Sequence, residues 1–404
     1  MMKRLVAWTA FLLCLLALPV AADDYQILEE STTRIGRFER TDAVVQVGDN
    51  PVNTFLMHRL VRRGGPYWTP PPRGILLLTG PLANPFVFWE TTEDGRYGRS
   101  FAAYFARRGY EIWGYSPRGT LLEQGSCEAG LVDCSVMGDW GIQVMVEDLT
   151  FIRGEIEQVH PGRSPVIGGF SLGGAATIAT INAHPDDYAG ALILEGALYS
   201  EDPEVIALNQ QHCATMEDFL AQGFLFDGQS LPLIGLTANL AATDPDGETP
   251  FPGFPPGTTN HQVLVFSLAV PSFTPLNQTP NFIRAAGDPL ADVFFFSTDA
   301  RLTAFLTIFN NYFDNRILRD LNCSFAGERT FTGNLANFTK PVFFMGGGQS
   351  FGPQNRDLAK ILGSHQCTFV EIEEFGHGDH FFSADHRRFV ERPIRRFLNR
   401  IDTW

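Results

Sequence analysis

The stretch Pro165-Val166-Ile167-Gly168-Gly169-Phe170-Ser171-Leu172-Gly173-Gly174-Ala175-Ala176 decides how this chain folds. Its first half is a short apolar run, as in a strand buried on both faces. Its second half opens a helix of small residues over 172–183. Between them lies G-x-S-x-G, from Gly169 to Gly173. So tight a strand-to-helix turn needs glycine on both sides, because a Cβ there would clash. The turn presents Ser171 at its apex with the hydroxyl exposed. It also puts the Leu172 N–H at a helix start, where a developing oxyanion would be held. The plainer alternative is a glycine-rich connection carrying an incidental serine.

Working outward, short apolar runs at 44–47, 52–61, 74–79, 110–115, 165–169, 191–194, 341–345 and 368–372 read as strands. Helical spacing marks 99–108, 142–159, 172–183 and 387–398. Strands alternating with helices imply an α/β fold with a mostly parallel, doubly wound sheet. Between the sixth and seventh of these strands the rhythm stops. The segment 199–339 holds 17 of the 35 Phe residues and the run PFPGFPPG at 250–257. That is too long for a plain loop and predicts an inserted cap over the strand ends. The expected organisation is a core of 23–198 and 340–404 with a cap at 199–339.

The residues 1–22 are expected to be a secretory signal peptide: Lys3 and Arg4, an uncharged apolar run, and Val20-Ala21-Ala22 ahead of two aspartates. The run falls short of the ~20 residues a membrane span needs. The mature protein is therefore expected to be exported, secreted or periplasmic, without a stable membrane span. Export makes disulfides permissible. Cys127 and Cys134 could close a small ring, Cys213 and Cys323 could staple the insertion, and Cys367 is left over. With 45 Asp+Glu against 30 Lys+Arg, the net charge of −15 argues against nucleic acid as a partner. Asn277, Asn322 and Asn337 open N-x-S/T triplets, which matter only in a glycosylating host.

A serine hydroxyl needs a base to become a nucleophile. After the last strand the chain reads Glu374-Phe375-Gly376-His377-Gly378-Asp379-His380, offering His377 as the base and His380 as the second choice. Together these features resemble the α/β-hydrolase superfamily, and most its acid-lipase branch. Thr79-Gly80-Pro81-Leu82-Ala83-Asn84 is similar to the HGLLAS-type loop after the third strand of that family. The segment from Glu111 to Gly119 is similar to D-V-W-x-x-x-x-R-G, and Phe375 to Asp379 to Y-N-H-x-D. The resemblance implies the α/β-hydrolase fold with a large cap insertion.

Three departures stand out. Thr79 replaces a histidine. Pro81, which has no N–H, occupies the position of the second oxyanion donor, so that role passes to Leu82 or the hole is incomplete. Ser350 stands near the place where the family carries its acid, and no carboxylate follows until Asp357. A serine cannot stabilise an imidazolium as a carboxylate does. Glu195, at the end of the strand 191–194, is the best acid candidate; Asp357, Asp202 or no acid at all remain open. Arg118 reads as a tie between loops.

The resulting expectation is a serine hydrolase cleaving carboxylic esters through an acyl-enzyme on Ser171, with no metal or organic cofactor required. The Phe-rich cap suggests a small apolar acyl-ester or peptide substrate. An aminopeptidase-like exopeptidase, an acyltransferase and a non-catalytic binding relative are the alternatives.

Overall fold

The computed structural model describes residues 25–64, 71–81, 86–269, 283, 294–307 and 312–401. The leader expected at 1–22, Leu82 and Asn277 lie outside them. In chain order the strands of the main sheet are β1 (Tyr25–Ile35), β2 (Phe38–Val47), β3 (Thr54–Arg62), β4 (Gly74–Thr79), β5 (Tyr110–Ser116), β6 (Val166–Phe170) and β7 (Gly190–Leu194). After the small cross-paired β8 (Phe226–Asp227) and β9 (Phe313–Asp314), the sheet resumes with β10 (Val342–Gly347) and β11 (Cys367–Ile372). The order is β1-β2-β3-β5-β4-β6-β7-β10-β11. The first three strands and the β3–β5 pair are antiparallel, and every pair from β5 to β11 is parallel. This is the α/β-hydrolase fold. The strand β1 had no counterpart in the sequence reading. Its residues are mostly polar and solvent-exposed, so no buried alternation marks it.

Helices α1 (Val87–Glu90), α2 (Phe101–Ala106), α3 (Ile142–Val159) and α4 (Leu172–Ala183) lie between the early strands. The helices α5 (Pro203–Ala221), α6 (Ser230–Thr243), α7 (Asn260–Ala269), α8 (Asp299–Leu306) and α9 (Asn315–Phe325) fall between β7 and β10. The chain closes with α10 (Gly352–Ile361), α11 (Asp379–Phe382) and α12 (Arg392–Leu398).

Alternation along each strand sorts the core into two layers. Ile75, Leu77, Ile167, Ile193 and Phe344 face α3 and α4, whereas Leu76, Leu78, Val166, Leu192 and Phe343 face α2 and α12. The segment between β7 and β10 contributes to both layers. Leu264, Leu302 and Phe305 join the second, and Ile317, Leu335 and Phe338 the first.

From β4 the chain runs outward to β5, then crosses back to β6 on the other side of β4. The winding reverses there, and the crevice beyond the carboxyl ends of such strands is where open α/β sheets hold ligands. Thr79 ends β4, and Ser171 follows the end of β6.

Arg118 ties the turn after β5 to α3 and to the connection between β2 and β3. Its guanidinium donates to both oxygens of the fully buried Asp148, at 3.1 and 2.6 Å, and to Asn53 at 2.7 Å. Cys127 is bonded to Cys134 and Cys213 to Cys323, joining α5 to α9. Cys367 is free and half-buried, and burial pushes its thiol pKa up.

A small cavity with a mixed lining lies beside α11, its polar groups coming from Arg301, His386 and Glu391 among others. Burial first of all raises the Glu391 pKa to about 7, against the opposing charges of Arg301, Arg387 and Arg108. The native state therefore holds a proton that the unfolded chain releases near pH 4.5. Stability attributable to Glu391 falls as pH rises from 4.5 to 7, by about 3 kcal/mol in all. His386, lowered to about 4 by burial and by Arg301 and Arg387, works in the opposite direction between 4 and 6.5. Comparing variant with parent at each pH isolates the glutamate. Glu391→Gln should raise Tm above the parent at pH 8 and do little at pH 4. An equal change at both values, measured by calorimetry, would contradict this account.

Candidate active site

The turn after β6 is built on backbone contact. A Cβ on Gly169 would lie 2.3 Å from the Gly173 carbonyl, and one on Gly173 would lie 2.4 Å from the Thr79 carbonyl oxygen. Only glycine lets α4 start this close to β4 and β6. Ser171 takes φ +60° and ψ −121°, a strained conformation for a residue with a side chain. Its N–H is tied to the Leu194 carbonyl at 2.9 Å. The Leu172 amide is the first of α4.

His377 comes from the loop after β11 and is fully buried. Its Nε2 lies 2.9 Å from the Ser171 Oγ, across 206 positions of sequence. The ring is held face to face with Phe170 at 5.1 Å and edge-on to Phe351 at 5.3 Å. Glu195, the residue after β7, also has positive φ, +50°, and is fully buried. Its Oε2 lies 3.5 Å from His377 Nδ1. Gly347 N–H donates to its Oε1 at 2.5 Å, and Ser350 Oγ donates to its Oε2 at 2.9 Å.

Ser350 lies between the carboxylate and the imidazole. Its single hydroxyl proton points to Glu195, so toward His377 Nδ1, 3.4 Å away, it can only accept. A proton on Nδ1 would be shared between Ser350 and Glu195 and would leave Nε2 its lone pair facing Ser171. Burial works to raise the Glu195 pKa, but contacts with His377 and His380 outweigh it and hold the carboxyl below its ordinary value. The group stays ionised at neutral pH.

The structure thus brings Ser171, His377 and Glu195 together. The other candidates fall elsewhere. His380 sits behind the carboxylate, its Nδ1 3.0 Å from Glu195 Oε1 but poorly aligned for a hydrogen bond. Asp357 accepts from the Glu201 N–H and pairs with Lys360. Asp202 caps α5 by accepting from Glu204 N–H. Pro81 is buried, whereas Leu82 lies outside the described residues. One partner of the histidine loop had no sequence signal: Ser297, whose hydroxyl donates to Asp379 at 2.7 Å from a segment without readable periodicity.

The family model for serine aminopeptidase S33 matches residues 91–239, a stretch that contains Ser171 and Glu195 but ends before His377. No curated protein is significantly similar in sequence. Among solved structures, a lipase candidate from Sulfolobus solfataricus superposes with a TM-score of 0.63 at 16% identity, covering 92% of this chain and 99% of its own. A thermostable carboxyl esterase from Bacillus coagulans gives 0.49 at 14% identity, covering 93% and 98%. The fold is that of the α/β-hydrolases, and the stretch that resembles the serine aminopeptidase S33 model carries two of the three residues gathered here.

Proposed function

We propose that this chain is an exported esterase that cleaves small apolar acyl esters through an acyl-enzyme on Ser171. The observation that carries the reading is the contact of Ser171 Oγ with an imidazole whose other nitrogen faces a buried carboxylate. In this mechanism Ser171 Oγ attacks the acyl carbonyl as its proton passes to His377 Nε2. Glu195 offsets the imidazolium charge. The Leu172 amide, with a second amide near Leu82, stabilises the oxyanion. His377 returns the proton to the leaving alkoxide. Water, deprotonated by His377, then releases the acid and frees Ser171. The segment 199–339 would act as the cap. Export is supported by the leader-like pattern of residues 1–22 and by the two disulfides. Among the described residues no helix is long and apolar enough to cross a membrane.

The S33 match favours one second reading, cleavage of an N-terminal residue from a peptide by the same residues. A fluorophosphonate probe followed by peptide mapping, paired with turnover of p-nitrophenyl esters and aminoacyl p-nitroanilides, tests both. The expected result is labelling at Ser171, loss of labelling in His377→Ala, and faster cleavage of esters than of anilides. Faster anilide cleavage would make it a peptidase. Acyl transfer to an added alcohol in preference to water would make it a transferase. A folded protein that takes no label would be a binding relative of the fold.

A further inference from the structure

The loop that carries His377 is gripped by the segment ahead of α8, 82 positions upstream in sequence. Ser297 Oγ donates to Asp379 Oδ1 at 2.7 Å, and Asp379 Oδ2 accepts the Gly376 N–H at 2.8 Å. Ser297 forms an isolated antiparallel bridge with Ser383. Thr298 N–H donates to the Phe382 carbonyl at 3.0 Å, and Arg301 Nε to the Phe381 carbonyl at 3.0 Å. Around these bonds Phe296 packs on Phe375 at 4.6 Å and Phe305 on Phe382 at 5.4 Å. Ser297 is 8% exposed and Asp379 is fully buried.

The peptide N–H immediately before His377 is therefore fixed by Asp379, and Asp379 is fixed by a hydroxyl from the insertion. A buried carboxylate with only part of its hydrogen bonds satisfied is costly, so removing one donor leaves pressure to rearrange. The turn from Gly376 to Gly378 joins that N–H to the imidazole, which lies 2.9 Å from Ser171. We propose that Ser297 is a positioning residue for the reaction: through Asp379 and Gly376 the insertion holds the catalytic histidine in register with Ser171. This rests on the esterase reading above. It makes the insertion part of the catalytic assembly as well as a cover over the substrate.

The test compares Ser297→Ala, Ser297→Thr and Leu302→Ala, the last removing a fully buried side chain of α8 that makes no polar contact with the loop. For Ser297→Ala, kcat on p-nitrophenyl esters should fall about tenfold with KM within about twofold, as for other supports of a reactive group. Ser297→Thr, which keeps the hydroxyl, should recover kcat. Leu302→Ala should lower Tm while keeping kcat. In the protein without substrate, the downfield proton resonance of His377 Nδ1–H should broaden in Ser297→Ala and not in Leu302→Ala. Should Ser297→Ala fail to fold, Ser297→Cys, a weaker donor of similar size, carries the same comparison. Unchanged kcat and an unchanged resonance in the alanine variant would overturn the proposal. So would an equal loss of kcat in Leu302→Ala. If the wild-type protein neither cleaves esters nor takes the probe, the esterase reading fails, and the resonance alone decides whether Ser297 positions His377.

Discussion

Ser171→Ala should lower ester turnover by about 10⁶-fold, to the residue left by binding and oxyanion contacts alone. The fold should be unchanged, because alanine keeps the Cβ and Ser171 makes its structural bond through its N–H to Leu194. Ser171→Gly separates activity from strain. At φ +60° and ψ −121° a side chain costs about 1–3 kcal/mol, and glycine does not bear that cost. Glycine loses about 0.5–1 kcal/mol of that gain to chain entropy. The glycine variant should be as inactive as the alanine variant yet melt higher, by about 1 °C for each kcal/mol gained. Turnover and calorimetry on the two variants side by side check this. Retained turnover in either would remove Ser171 from the mechanism. Equal melting points would mean that the turn stores no strain.

That strain explains why the turn was so legible. Backbone packing at Gly169 and Gly173 leaves few residue choices, so a short motif with an apolar strand before it and small residues after it already marked the turn. The parallel strands were legible for a related reason. Buried on both faces, they read as continuous apolar runs, and α3 and α4 begin and end where their patterns do. The polar β1 lacked any such constraint. The pairing of Cys213 with Cys323 was one of the arrangements that their places near the two ends of the segment 199–339 allowed. The insertion itself was opaque. Its helices α6 and α7 are apolar without a clear polar face, and residues such as Phe338 and Leu335 belong to the core beneath.

At the site, sequence position narrowed the choices, and only geometry separated them. His377 and His380 lie three residues apart, one in the loop after β11 and the other in α11. One reaches Ser171, whereas the other lies behind Glu195. Ser350 was visible as a missing carboxylate. That its hydroxyl bridges the glutamate and the imidazole depends on β7 and β10 being neighbours, which no local pattern states.

Glu195→Gln should lower kcat by about 10⁴-fold with little change in Tm. Gly347 N–H already donates to Oε1, so an amide would keep its carbonyl there and turn its NH₂ toward Ser350 and His377. A donor facing Nδ1 favours the tautomer with the proton on Nε2, and that nitrogen can no longer accept from Ser171. The loss should be seen in kcat at every pH, because it comes from the wrong tautomer and not from a shifted titration. Ser350 then offers a signed second test. Its Oγ is 3.4 Å from Nδ1, within reach of a carboxylate grown from the same backbone. Adding Ser350→Asp to Glu195→Gln should recover an order of magnitude or more, by restoring a negative acceptor. Ser350→Asp alone should do the opposite. It would put two buried carboxylates in contact, force one to keep a proton, and depress activity at neutral pH. A double variant no better than Glu195→Gln, or a single Ser350→Asp as active as the parent, would show that the glutamate does not act through the charge it presents to His377.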